Sequence, residues 1–287
     1  MAPLRTSVLS ASPTRTATER RGVRLGLGTL LLCTLFGLTA CNSSPQTDSV
    51  VTLPPSAPLE PAPKPERVRA QVELAEGYIE VGDLKRARAT VERALELDPR
   101  SWEAHDLYGR IYQLQGDAEL AERHFRLALR AAPDASRVRN DYGVFLYQQA
   151  RYDDAVEQLR HAADDPDSGN RPVAYENLGL ASLAAGDRAA ARAAFARAVM
   201  LEERMAISLL ELAELAFDDA DYAQSATWYR RYRAAVGRQT PRSLWLGVRL
   251  ARLVDDADAE ASYALQLRNL FPYSEEYRRY REGIGGG

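Results

Sequence analysis

Two cysteines, three histidines and a few adjacent carboxylates are the side chains of this 287-residue sequence whose types and spacing first invite a chemical reading. They leave little material for a metal or thiol site. The acid pairs Asp153-Asp154, Asp164-Asp165 and Asp218-Asp219 fall in turns or at helix starts, where carboxylates favour the helix dipole rather than serve as general acids. No HExxH, no GxSxG and no phosphate-cradling glycine loop occurs after residue 40. Gly26-x-Gly28 lies within an apolar leader and carries no such meaning. A catalytic constellation is therefore not expected. One reactive position remains, Cys41, and its chemistry depends on what precedes it.

Arg5, Arg15, Arg20, Arg21 and Arg24 form a positive leader opposed only by Glu19, and Leu25 to Leu38 is an apolar run of 14 residues. A helix needs roughly 20 residues to span a hydrocarbon core, so the run fits the apolar region of a signal peptide over 1–40. It ends in Leu38-Thr39-Ala40-Cys41, which resembles the lipobox of bacterial lipoproteins. There, small side chains admit a membrane peptidase and the thiol forms a thioether to diacylglycerol. The resemblance implies a covalent diacylglycerol and an N-acyl lipid on Cys41, and no other cofactor. Several acyl chains anchor far more firmly than one. Asn42 after the cysteine implies, by likeness to enterobacterial sorting, a lipid-anchored protein on the periplasmic face of the outer membrane.

Cys33 would leave with the leader and Cys41 would carry lipid, so the folded part has neither disulfides nor thiolate chemistry. Loss of five arginines and one glutamate leaves 32 basic and 39 acidic residues, a net charge of −7. That balance argues against nucleic acid, which needs a basic face, and against electrostatic adhesion to anionic lipid. A small-molecule substrate is not implied either.

Residues 41–66 read as the lipidated N-terminus and a tether: seven of the 25 residues from Asn42 to Glu66 are proline. At about 3.1 Å per residue this segment reaches on the order of 75 Å. Beyond it the chain is periodic. Small residues recur at Ala75, Gly109, Gly143, Gly179, Ala213 and Gly247, spaced 34, 34, 36, 34 and 34 apart. A second small series runs Ala87, Ala121, Ala155, Ala191, Ser225 and Ala259. Bulky residues follow at Val91, Phe125, Leu159, Phe195, Tyr229 and Tyr263. These are consensus positions of the tetratricopeptide repeat, in which small residues let two antiparallel helices approach and large ones fill the layer between repeats. Gly82-Asp83, Gly116-Asp117 and Gly186-Asp187 mark hairpin turns; the fifth and sixth repeats carry Asp-Ala-Asp instead. Pro99 and Pro133 stop second helices. The loop Asp164 to Arg171 accounts for the spacing of 36. The expected fold is all-α, a right-handed α-solenoid of about six repeats and twelve helices over 67–280, with 281–287 a disordered tail.

Solenoids of this kind bind partners along a groove lined by first helices. The register places Arg69, Val72, Glu76 and Ile79 there, then Asp106, Arg110 and Gln113, then Asn140, Val144 and Tyr147, then Glu176, Leu180 and Leu183. Apolar members such as Val144, Tyr147, Leu180 and Leu183 suit an amphipathic partner segment, or else pack against neighbouring helices. Asn140 and Asn177, polar beside core positions, belong either to the partner surface or to a hydrogen bond between repeats. His105 holds a core position; His124 and His161 lie on second helices and are expected to be solvated.

Arg139-Asn140-Asp141-Tyr142-Gly143-Val144-Phe145-Leu146, followed by Ala150-Arg151-Tyr152-Asp153-Asp154-Ala155, resembles the NNYGxFL…GRYxEA stretch of the type IV pilus biogenesis lipoproteins of the PilF/PilW family. Ala174 to Leu180 (AYENLGL) and Leu265 to Glu276 match further stretches of that family; Asp141 and Ala150 depart from it. The resemblance implies a pilotin, an outer-membrane adaptor that helps the pilus secretin reach that membrane and form its ring. Asn140, Tyr147, Glu176 and Asn177 would then contribute to the partner surface. A repeat lipoprotein that scaffolds peptidoglycan hydrolases, or one that assists outer-membrane barrel assembly, shares the anchor and the repeats and is the alternative.

Overall fold

The computed structural model describes residues 64–285, and the regular elements among them are all helices. The leader, Cys41 and most of the tether lie outside the described residues. Six helical hairpins follow one another: α1 (Lys64–Glu80) with α2 (Leu84–Leu97), α3 (Trp102–Gln115) with α4 (Ala118–Ala131), and α5 (Ser136–Gln148) with α6 (Tyr152–Asp164). Then come α7 (Arg171–Ala184) with α8 (Arg188–Leu201), α9 (Ala206–Asp218) with α10 (Tyr222–Ala235), and α11 (Pro241–Leu253) with α12 (Ala257–Leu270). A last helix, α13 (Glu275–Gly285), covers the end. This is the all-α repeat solenoid expected.

Each hairpin turns through one residue in the left-handed region: Gly82, Gly116, Ala150, Gly186, Ala220 and Asp255. Glycine takes that conformation without the Cβ penalty, and aspartate tolerates it better than most residues. In five of the six hairpins the next residue is an aspartate whose carboxylate accepts the backbone N–H three residues on, as Asp117 does from Leu120 at 3.1 Å and Asp187 from Ala190 at 2.8 Å. One short stretch thus ends one helix and caps the next.

The turns also correct the register of the last repeat. They are spaced 34, 34, 36, 34 and 35 apart. The sixth turn is Asp255-Asp256, with Asp256 as cap and Ala257 already helical, so it falls two residues before the Ala257-Asp258 that the expected Asp-Ala-Asp would use. The change is visible in the packing. A Cβ added to Gly109, Gly143 or Gly179 would sit 2.5–2.7 Å from Phe125, Leu159 or Phe195 of its own hairpin. In the sixth repeat the corresponding offsets from the helix starts hold Val248 and Ala264, both buried, so large and small are exchanged. Gly247 keeps the expected partner of its own hairpin, an added Cβ meeting the Tyr263 ring at 2.9 Å, and it also passes the Tyr229 hydroxyl of the preceding repeat at 2.5 Å.

Two boundaries differ from expectation. Helix α1 begins at Lys64 rather than 67, because Pro65 is accommodated in a first helical turn, where its missing N–H is no loss. Helix α13 carries order to Gly285 where a disordered tail from 281 was expected. Tyr277 and Tyr280, three residues apart, pack on the Leu244–Val248–Leu267 cluster, and Glu275 and Glu276 suit the helix N-terminus.

Odd-numbered helices touch the next odd one from α1 to α9, and again from α11 to α13, whereas even-numbered helices make no comparable contact with one another. The odd helices therefore form the inner, concave layer. The core lies between layers, with Phe125, Phe145, Leu159, Phe195 and Leu209 fully enclosed.

Candidate protein-binding surface

The inner layer is tied together by polar side chains at repeat spacing. At its N-terminal end, Arg137 contacts Glu76 and lies 3.3 Å from Asp106, while Arg110 stands 4.0 Å from Glu76 and 3.8 Å from Asp141. Three carboxylates thus face two guanidiniums in a buried place. Burial, then the charge of Asp141, pushes the Asp106 carboxyl up to about 7 against the pull of Arg137 and Arg110.

Further along, Asn177 donates to the Asn140 carbonyl at 2.9 Å, and Asn140 donates to Asp141 at 3.1 Å. Glu176 accepts from both the backbone N–H and the hydroxyl of Ser208, each at 3.0 Å. Toward the C-terminal end the links become arginine–carboxylate pairs: Arg242 forks onto Glu211 at 2.5 and 2.9 Å, and Arg249 meets Glu214 at 2.5 Å while lying 4.3 Å over the Phe217 ring.

This arrangement divides the groove residues read from the sequence. Arg110, Asn140, Val144, Glu176, Asn177 and Leu180 are buried, so they form the seam between repeats and offer no contact surface. The reason is geometric: in the concave layer one first helix lies directly against the next, so a position facing along the array is covered. The hydrogen bond between Asn140 and Asn177 is the inter-repeat reading of that pair. Arg69 is exposed and held by Glu73 at 2.8 Å. Tyr147 and Leu183 are half-buried and remain on the accessible inner face; Tyr147 packs edge-tilted on Tyr152, and burial with the nearby Tyr152 and Glu211 raises its hydroxyl pKa.

Sequence reasoning missed the arginines 242 and 249, which are partly exposed; Arg249 borders Phe217 on this face. Opposite charges at repeat spacing, Glu214 and Arg249 above all, were the available signal. The accessible groove is thus Tyr147, Leu183 and Phe217, with the Arg242–Glu211 and Arg249–Glu214 ion pairs at its C-terminal rim. It can grip apolar side chains on an extended or helical segment.

The histidines also divide. His161 is exposed as expected. His124 is half-buried rather than fully solvated: its Nδ1 lies 3.2 Å from Nδ1 of His105, and its ring packs against the stacked rings of Tyr108 and Tyr112. One of the two nitrogens must carry the shared proton. Burial, then the charge of His105, lowers His124 to about 4. No helix among the described residues is long and apolar enough to cross a membrane.

The tetratricopeptide repeat family matches residues 72–136, 109–171 and 176–242, which defines the class of protein. The relatives are more particular. Type IV pilus assembly protein PilF of Pseudomonas aeruginosa is 36% identical over 212 residues, covering 74% of this chain and 84% of that protein. The chain belongs to the PilF family of tetratricopeptide proteins. The solved structure of Pseudomonas aeruginosa PilF superposes with a TM-score of 0.74 at 35% identity, over 77% of this chain and 99% of that one. That of PilW, described as a widely conserved type IV pilus biogenesis factor, gives 0.65 at 28% identity, over 74% and 97%.

Proposed function

We propose that this chain is a type IV pilus biogenesis factor acting as an outer-membrane pilotin: lipid-anchored through Cys41, it binds the pilus secretin subunit and promotes its localisation and ring assembly. The observation that carries the reading is the kinship with PilF across the repeat array, joined to the lipobox-like Leu38-Thr39-Ala40-Cys41 and the proline-rich tether ahead of it.

The physical logic needs no turnover. A secretin subunit crossing the periplasm exposes membrane-seeking surface. An acyl-anchored adaptor on a leash of up to about 75 Å raises the subunit's local concentration at the membrane where the ring must form. The groove of Tyr147, Leu183 and Phe217 supplies apolar contact, and the Arg242–Glu211 and Arg249–Glu214 pairs give it a polar rim.

The test is made in the source bacterium. The chain is deleted, or Cys41→Ala is introduced, membranes are fractionated, and the secretin is followed as heat-resistant multimer against monomer. The expected result is loss of multimer on deletion and secretin stranded in the inner membrane with Cys41→Ala. Normal rings in both strains would overturn the proposal.

A further inference from the structure

The outer side of the solenoid is closed at most junctions by a side chain near the start of one second helix reaching the turn of the next repeat. Arg88 donates to Gln115 at 2.8 Å, Arg151 to Glu122 at 2.8 Å, and Arg192 pairs with Asp219 while Arg188 reaches Asp218 at 3.4 Å. Carrying the last junction forward by its register, 34 residues on α10 and 35 on the turn, replaces Arg188 and Arg192 with Tyr222 and Ala226. It likewise replaces Asp218 and Asp219 with Leu253 and Val254. The clamp is gone, and apolar groups stand in its place. They do not close the gap: Tyr222, Leu253 and Val254 are 40%, 46% and 73% exposed.

Behind them lies a cleft of about 570 Å³ between α10 and the α11–α12 hairpin. It exists because small residues floor it, namely Ala223, Ala226, Gly247, Ala251 and Ala259. Helices α10 and α11 touch least of all neighbouring helices in adjacent repeats, so the space is built into the backbone.

The cleft is also lined by positive charge. Several arginines on the array are paired with carboxylates, Arg151, Arg192, Arg242 and Arg249 among them. Arg230 and Arg233, which line the cleft, pair with none among the described residues: Arg233 donates to the Tyr263 hydroxyl at 2.8 Å, and Arg230 reaches only Thr227 at 3.4 Å. Arg231 and Arg238 nearby lie over Trp228 and Phe271 at 4.9 and 5.7 Å. Two arginines held by no carboxylate thus stand at an apolar opening, where a segment carrying carboxylates finds opposite charge. The carboxylate on the opposite wall, Asp256, is spent as the cap of α12.

We propose that this outer cleft is a second protein-docking site, separate from the concave groove, and that its occupant is a segment of a partner protein carrying two or three aliphatic or aromatic side chains flanked by carboxylates. The apolar side chains enter over Ala226 and Ala251 and cover Leu253 and Val254. The carboxylates meet Arg230 and Arg233. A volume of this size takes a few large side chains and no folded domain. The site does not depend on which protein occupies the groove.

The experiment titrates the full chain with three labelled synthetic peptides: an amphipathic Leu/Glu helix, its Leu/Lys counterpart and a Ser/Glu control. Anionic phosphatidylglycerol vesicles form a fourth arm. Saturable binding is expected for the Leu/Glu peptide alone, weakened about tenfold or more by the Arg230→Glu/Arg233→Glu pair, a change of about 1.4 kcal/mol. Ala226→Leu fills the cleft and is expected to abolish binding while the melting temperature holds or rises. That keeps the test meaningful if charge reversal disturbs folding. Equal binding of the Leu/Lys peptide, binding indifferent to Ala226→Leu, absence of Leu/Glu binding, or vesicle binding lost with Arg230 and Arg233 in place of peptide binding would each overturn the proposal.

Discussion

The junction between the third and fourth repeats and the junction between the fifth and sixth follow the same hairpin plan and reach opposite results. At the first, α6 and α7 pack closely, Leu159, Ala162 and Ala163 are buried against Ala174 and Leu178, and the Asn140–Asn177 hydrogen bond links α5 to α7 on the inner face. At the second, α9 and α11 barely approach, and the inner face is spanned by the long side chains of Arg242 and Arg249 reaching Glu211 and Glu214. Outside, apolar residues flank an open cleft. The lesson is that a repeat array is held by its interfaces one at a time. Its stability is close to a sum of repeat terms and nearest-neighbour terms, so a weak interface leaves its terminal repeat free to open on its own.

The largest effect follows from that sum. Amide hydrogen exchange should show α11 to α13 opening well before α5 to α8, as a separate unit of lower local stability. Phe195→Ala, at a fully enclosed side chain against Gly179, should cost about 3–5 kcal/mol and melt the middle of the array. Uniform protection along all repeats would abolish the contrast between the junctions.

The next effect is electrostatic and sits at the N-terminal end of the inner seam. Asp106 is raised above its usual value, so its contribution to stability is full below about 3.8 and is lost as pH rises through about 7. Asp106→Asn should flatten the dependence of melting temperature on pH in that window, by an amount on the order of a few kcal/mol. His124 has the opposite sign. It is lowered, so its contribution is present above its usual 6.5 and is lost as pH falls through about 4. His124→Phe should remove the acid-side loss. If both variants keep the wild-type profile, the buried charges are not as exclusive of water as their burial implies.

A smaller change tests the polar link in the middle of the array. Glu176→Ala leaves the Ser208 N–H and hydroxyl buried without their acceptor, costing about 1–3 kcal/mol, whereas Glu176→Gln retains an acceptor and should cost less. Thermal melts of the two variants separate a lost hydrogen bond from a lost charge.

The hairpins, their order and most of the spacing were legible because they depend on residues with strong local preferences. Glycine at the left-handed turn and aspartate as the cap write the period directly into the chain, and Gly109, Gly143 and Gly179 are dictated by Phe125, Leu159 and Phe195. The candidate site was less legible. Periodicity tells which side of a helix a residue occupies, but not whether the next first helix covers it; the sequence therefore left Asn140, Val144 and Leu180 open between groove and packing, and burial places them, with Glu176, in the seam. The sixth repeat escaped for another reason. Gly247 keeps the recurring small position against Tyr263, while the turn falls one residue later than a spacing of 34 predicts, at Asp255, a residue that carries no glycine-like signal. The cleft is a consequence of that shift, and it becomes visible only when Leu253 and Val254 are laid over Asp218 and Asp219.

The smallest expected effect is also the sharpest test of that overlay. Installing the missing clamp with Ala226→Arg and Val254→Asp would place a guanidinium and a carboxylate where Arg192 and Asp219 stand one repeat earlier. Exposed ion pairs contribute about 0–1 kcal/mol, so global stability should hardly move. The distribution of stability should change: exchange in α11 to α13 slows toward that of the preceding repeat, and the Leu/Glu peptide loses its apolar entry. Either single substitution provides only half of the pair and should leave the exchange pattern near wild type. If the double variant behaves as the sum of the singles, the two positions do not face one another and the comparison of the junctions fails at its first step.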